Sequence, residues 1–287
     1  MQPTPPSPYG HSTYPRPAAP VHFAQRVTTD DGAELATFVY GPAVARLADL
    51  LARDPVLLLH GNGGSHATFV QVTDTLVSAG LGVIAIDMRG QGQSTRGTLP
   101  LTYELFSADA VSVLDHLGVQ AAHIIGHSDG GIEALLLARD YPTRVLSIVA
   151  GGANITPEGV IDEWDTAGSA ESNRRWAAWM ESNEVPDAVD ATLLPSPASA
   201  LLSAELLQLM IDEPHIDATS LGAIRCPTCV LVGEHDCIER AETEAIASSI
   251  PGARLVTVPG VGHSLPRQAP DSVCCQALIN VMLSARR

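Results

Sequence analysis

Short apolar runs alternate with stretches of helical spacing along most of this 287-residue chain, and that alternation leaves it few possible folds. Pro55-Val56-Leu57-Leu58-Leu59 is one such run and Gly82-Val83-Ile84-Ala85-Ile86 another. A strand covered by helices on both faces needs an uninterrupted apolar run, whereas a strand with one wet face would alternate. Residues 69–79, between the two, have helical spacing. A helix at 103–117, a strand at 122–126, a helix at 130–139 and a strand at 145–149 follow. After a gap the pattern resumes with a strand at 229–232, a helix at 239–249, a strand at 254–258 and a closing helix at 271–285. A hairpin at 23–40, turning at Asp30-Asp31-Gly32, precedes the series. The expectation is an α/β protein with a doubly wound, mostly parallel sheet. Its ligands should bind outside the carboxyl ends of the strands.

The gap, about residues 155–222, is helix-like and acidic and is interrupted by Pro186, Pro195, Pro197 and Pro214. It holds all three tryptophans, Trp164, Trp176 and Trp179. It reads as a helical insert that caps the sheet, with residues 21–154 and 223–287 as the core. Residues 1–20 carry seven prolines and no continuous apolar segment. They read as a disordered or extended tail rather than a secretory leader. No apolar run approaches the ~20 residues that span a bilayer, so the expected location is the cytoplasm and no membrane partner is expected.

One strand–helix junction carries chemistry. Ala121-Ala122-His123-Ile124-Ile125 leads into Gly126-His127-Ser128-Asp129-Gly130, and an amphipathic run from Ile132 follows. Strand, sharp turn and helix with a serine at the apex is the setting of a nucleophile elbow. Side chains at positions 126 and 130 would collide with the flanking strand and helix. A serine hydroxyl is a poor nucleophile at neutral pH. It needs a base to take its proton, and the base needs an orienting acid. Suitable groups end the later strands. Val230-Leu231-Val232 runs on to Asp236, and the strand at 254–258 runs through a glycine-rich loop to His263.

These residues resemble those of the α/β-hydrolase-fold serine hydrolases over residues 23–287. His60-Gly61-Asn62-Gly63-Gly64 is similar to the family's oxyanion-hole loop. Asp87-Met88-Arg89-Gly90-Gln91-Gly92-Gln93-Ser94 is similar to its D-x-R-G-x-G-x-S turn. The elbow and Gly262-His263 complete the likeness. The resemblance implies an α/β-hydrolase fold with a helical cap. It also implies a nucleophile Ser128, a base His263, an acid Asp236, and an oxyanion hole from the backbone N–H groups of Asn62 and Asp129. Some members take the acid from the end of the preceding strand, but Gly151-Gly152-Ala153-Asn154 offers no carboxylate there. The implied reaction is cofactor-independent cleavage of a small ester, lactone or related acyl compound through an acyl-enzyme. C–C bond hydrolysis, acyl transfer, perhydrolysis and a non-catalytic ligand receptor remain open on the same fold. Ser128 argues against haloalkane dehalogenases and epoxide hydrolases, whose nucleophile at that position is an aspartate.

The neighbouring residues have plainer readings. His60, His127 and His235 are expected to be structural or to support the site, and Asp87 and Arg89 to hold their turn. Asp129 is expected to point away at the start of its helix, where negative charge is favourable. The sharper alternative is that its carboxylate receives a cationic group of the substrate. The Asn62 side-chain amide is a further candidate for the site, and the three tryptophans for the substrate pocket. The net charge of −16, with sixteen arginines and no lysine, argues against a nucleic-acid partner. Five cysteines, all after residue 225, make no disulfide framework. Cys226 and Cys229 lead into a strand and lack a second ligand pair, so neither redox chemistry nor zinc is expected, and the cysteines read as small buried residues. No metal or cofactor is expected.

Overall fold

The computed structural model describes residues 16–43, 47–185 and 196–285. Most of the proline-rich tail lies outside the described residues, as do Pro186 and Pro195. From the end of the tail, the Ala19 N–H donates to Asp74 at 2.8 Å. In chain order the elements are β1 (Val21–Thr28), β2 (Glu34–Tyr40), α1 (Leu47–Leu51), β3 (Val56–Leu59), α2 (Val70–Ser78), β4 (Val83–Ile86), α3 (Tyr103–His116), β5 (Ala122–His127), α4 (Asp129–Asp140), β6 (Val145–Gly151), α5 (Thr166–Ser182), α6 (Pro197–Asp212), β7 (Thr228–His235), α7 (Arg240–Ser249), β8 (Arg254–Gly262), α8 (Leu265–Gln268) and α9 (Pro270–Ser284). Among the described residues, eight strands form one sheet in the order β1-β2-β4-β3-β5-β6-β7-β8. The β1–β2 and β2–β4 pairs are antiparallel, and all other pairs are parallel. This is the expected α/β-hydrolase fold, with α5 and α6 as its helical insert.

The apolar runs are explained by the two faces of the sheet. Leu57, Leu59, Ile84 and Ile86 pack with Phe106 of α3, Leu135 of α4 and Ile246 of α7. Their neighbours Val56, Leu58, Val83 and Ala85 pack on the opposite face with Leu76 of α2 and Ala277 of α9. Successive side chains point to opposite faces of a strand. With helices on both, every residue of β3 and β4 is buried. After β3 the chain moves outward to β4, then returns to place β5 on the other side of β3. The loops after β3 and β5 therefore diverge, and the crevice between them is where such sheets hold ligands.

Buried charge secures the turn after β4. Asp87 accepts from the His66 backbone N–H (2.6 Å), the His66 ring (2.7 Å) and the Gln93 N–H (2.9 Å). Arg89 makes a two-pronged bond to Asp109 on α3, both distances 2.8 Å, and reaches Asp31 in the hairpin turn at 2.6 Å. Both residues act as turn supports, as the sequence reading held.

The insert packs both on itself and on the core, Leu206 and Leu209 of α6 joining the main core. Trp176, Ala177 and Met180 of α5 and Ala200 of α6 form a small core of their own. Ile155, Ile216 and Leu221, inside the expected insert, pack instead with the main core. The α6 helix begins where Ser196 and Ser199 cap each other reciprocally. The α4 helix departs from the amphipathic pattern expected of it: every residue from Asp129 to Ala138 is buried, Glu133 included.

Candidate active site

The turn between β5 and α4 holds Ser128 at φ 57°, ψ −121°, a conformation that costs a non-glycine residue on the order of 1–3 kcal/mol. The surroundings enforce it. The Ser128 N–H donates to the Gly151 carbonyl at 2.8 Å, and the Ser128 carbonyl accepts from Gly131 at 2.7 Å. A Cβ on Gly126 would overlap the Gly130 carbonyl, so the expected glycine requirement holds. A Cβ on Gly61 would lie 2.7 Å from that of Ser128, so only glycine lets the loop after β3 close onto the serine.

The structure brings Ser128, His263 and Asp236 together. His263 Nδ1–H donates to Asp236 Oδ1 at 2.7 Å, which leaves Nε2 to accept from the Ser128 hydroxyl at 2.9 Å. Asp236 also accepts from the backbone N–H groups of Gly233 (3.3 Å) and Ile238 (3.2 Å). Burial opposes ionisation of Asp236, but the bond from His263 and these amides outweigh it and hold the carboxyl below its ordinary range. Burial likewise opposes charge on His263. Hydrogen bonds to Asp236 and Cys237 overcome it and push the imidazole up to about 10. Asp236, Cys237 and His263 present ligand-type atoms within 4.8 Å of one another, and the bond between Asp236 and His263 suits these groups to moving a proton.

The other histidines hold the backbone. His127 Nε2 bonds the His263 carbonyl at 2.7 Å, and burial keeps its ring neutral by lowering its pKa to about 4. His60 Nδ1 donates to the Gly61 carbonyl at 2.8 Å, and Nε2 accepts from the Met88 N–H at 2.9 Å. His235 is exposed.

Asn62 and Asp129 lie where the two loops meet, but their side chains depart from expectation. The Asn62 amide donates to Asp129 Oδ2 at 3.1 Å and to the Leu206 carbonyl of α6 at 2.9 Å, so it ties the insert to the core. Asp129 does not point away. It is 3% exposed, bonds Asn62 and the Tyr103 hydroxyl, and lines the cleft above Ser128. Burial raises its carboxyl to about 6 against those hydrogen bonds.

That cleft is lined by Tyr103, Ser128, Asp129, Trp164, Met210 and Glu213, together with Cys237 and His263. Of the three candidate tryptophans, only Trp164 is there. Its ring lies 6.3 Å from that of His263 and is 56% exposed. Trp176 and Trp179 stack on each other at 4.9 Å within the insert, because one helical turn places them on the same face. Sequence reasoning missed Tyr103, Glu213 and Cys237. The adjacency of Cys237 to Asp236 was the one local signal for any of them. Cys229, Cys237 and Cys274 are buried as expected, whereas Cys275 is exposed.

A family model described as alpha/beta hydrolase fold matches residues 54–191. RutD of Variovorax paradoxus (strain S110), provisionally named a carbamate hydrolase, is 30% identical over 245 residues, covering 79% of this chain and 88% of its own. Rhodomycin D methylesterase DnrP of Streptomyces peucetius is 30% identical over 254 residues, covering 74% and 85%. Among solved structures, a thermophilic esterase from Thermogutta terrifontis superposes with a TM-score of 0.66 at 25% identity, covering 93% of this chain and 99% of that one. No helix among the described residues is long and apolar enough to cross a membrane.

Proposed function

The chain belongs to the alpha/beta hydrolase fold family, and we propose that it is a serine hydrolase cleaving a small ester, lactone or related acyl compound. The observation that carries this reading is the unbroken hydrogen-bond chain from Ser128 through His263 to Asp236. Ser128 Oγ attacks the acyl carbon while His263 Nε2 takes its proton. Asp236 holds the ring in the required tautomer and offsets the charge that develops on it. The backbone N–H groups of Asn62 and Asp129 are assigned to the oxyanion, where losing one donor costs ~10²–10³ in rate. His263 then returns the proton to the leaving group; a water, deprotonated by the same imidazole, attacks the acyl-enzyme, and the acid leaves as Ser128 Oγ takes the proton back. The methylesterase and esterase relatives support ester chemistry.

Turnover of a p-nitrophenyl ester series by the wild type and by Ser128→Ala tests the proposal. Hydrolysis that falls at least a thousandfold in Ser128→Ala supports it, and turnover indifferent to Ser128 rejects it.

A further inference from the structure

The cleft has a wall of two carboxylates, Asp129 and Glu213, beside the nucleophile. Asp129 lines it, and its assigned partners there, Asn62 and Tyr103, are neutral donors. With its own backbone N–H as a third donor, Asp129 still has room for a fourth, because an ionised carboxylate has about four lone-pair positions. Glu213 shares the cleft and accepts one long bond, 3.4 Å, from the Tyr103 N–H. No arginine lines the cleft and the chain has no lysine; the basic side chain in the lining is His263, which is committed to Asp236 and Ser128, so two carboxylates face a single imidazole. Trp164 adds an aromatic face at the same opening, a surface that attracts cations.

Position sharpens the point. The backbone N–H of Asp129 is assigned to the oxyanion in the mechanism above, and its side chain carries a carboxylate a few bonds away. Left alone, that carboxylate repels the charge developing on the carbonyl oxygen. A cation placed between the two removes the repulsion. Because both groups belong to one residue, the cation and the scissile carbonyl must be close together in the substrate.

We propose that the substrate is an amine-bearing acyl compound, its ammonium group a short distance from the scissile carbonyl and received by Asp129, with Glu213 and Trp164 completing the subsite. This rests on the acyl-hydrolase reading of Ser128, and it names the substrate class.

The test compares 2-aminobutyryl and butyryl benzyl esters, which differ by the amine. The wild type should prefer the amino ester by at least tenfold in kcat/KM. Asp129→Asn should shrink that ratio by about 10- to 100-fold, the size of a lost charge-assisted hydrogen bond. Glu213→Gln, further from the oxyanion, should shrink it several-fold. A ratio near one in the wild type, or an unchanged ratio in both variants, overturns the proposal. Calorimetric binding of the same two esters to Ser128→Ala separates this from failure of the hydrolase reading. If neither ester is hydrolysed by the wild type, the hydrolase reading falls. Tighter binding of the amino ester, lost on adding Asp129→Asn, still supports the cation subsite, and equal binding of both esters rejects it.

Discussion

A methyl group added at Gly152 should cripple the site without breaking the fold. Gly152 follows β6 at φ 59°, and a Cβ there would lie 3.0 Å from His263 Cε1 and 3.1 Å from Nδ1, with Asp236 Oδ2 at 3.5 Å. Such contacts require a neighbour to give by a few tenths of an ångström. The Gly152 backbone is pinned by its 2.9 Å bond to the Leu231 carbonyl, so the imidazole moves. The ring cannot retreat without stretching its bond to Ser128 or to Asp236. A misplacement of this size costs about tenfold in kcat/KM. The left-handed backbone adds about 1–2 kcal/mol of instability for any L-residue. Gly252→Ala is the control. It has φ 75° with nothing within 4 Å of its Cβ, so it bears the same backbone cost and touches nothing. Urea unfolding and p-nitrophenyl acetate hydrolysis are measured on both variants. Similar stability losses with an activity loss confined to Gly152→Ala are expected. Wild-type activity in Gly152→Ala would refute the placement of the imidazole.

Further outcomes follow from the same geometry. The His263 ring acts as a base only when neutral, and its pKa is raised to about 10, so kcat/KM should climb through the alkaline range. Cys237→Ala removes one of the bonds that favour the charged ring and should shift that rise to lower pH. The same raised pKa gives a stability contribution that is full below about pH 6.5 and lost as pH rises through about 10. Asp236 is shifted the opposite way, and its contribution is present above about pH 4 and lost as pH falls through its lowered value. Unfolding curves of Asp236→Asn should therefore flatten in acid. Arg89→Met strands Asp109, which is 2% exposed, and should cost about 3–5 kcal/mol in urea unfolding, with part recovered by adding Asp109→Asn. Trp164→Ala should raise KM several-fold with little change in stability. Trp176→Ala, stacked and 8% exposed, should cost about 3 kcal/mol or more in stability.

The strands and helices of the core were legible because both faces of the sheet are covered, which forces the apolar runs around Leu57 and Ile84. Ser128, Asp236 and His263 were legible because each ends a recognisable strand, and strand ends at one edge of a parallel sheet meet in space. The cleft wall was less so. Tyr103 opens α3 and looks like any helix-starting aromatic residue, and Glu213 follows α6. The packing of α3 on α4 brings Tyr103 beside Asp129, and the packing of the insert brings Glu213 there. Glu133 shows the same limit. Its helical spacing reads as a solvent face, yet the fold buries both its oxygens without a partner, and burial holds the proton on. The tryptophans divided because Trp164 precedes α5, where it reaches the cleft, while Trp176 and Trp179 lie within that helix and face the insert's core.

The central claim is that Ser128 is the nucleophile, and a fluorophosphonate probe tests it most directly. Intact-protein and peptide mass spectrometry of the labelled chain should show one adduct, on Ser128. Labelling should be abolished in Ser128→Ala and strongly slowed in His263→Ala. Equal labelling of Ser128→Ala and the wild type, or an adduct on another residue, would contradict the account.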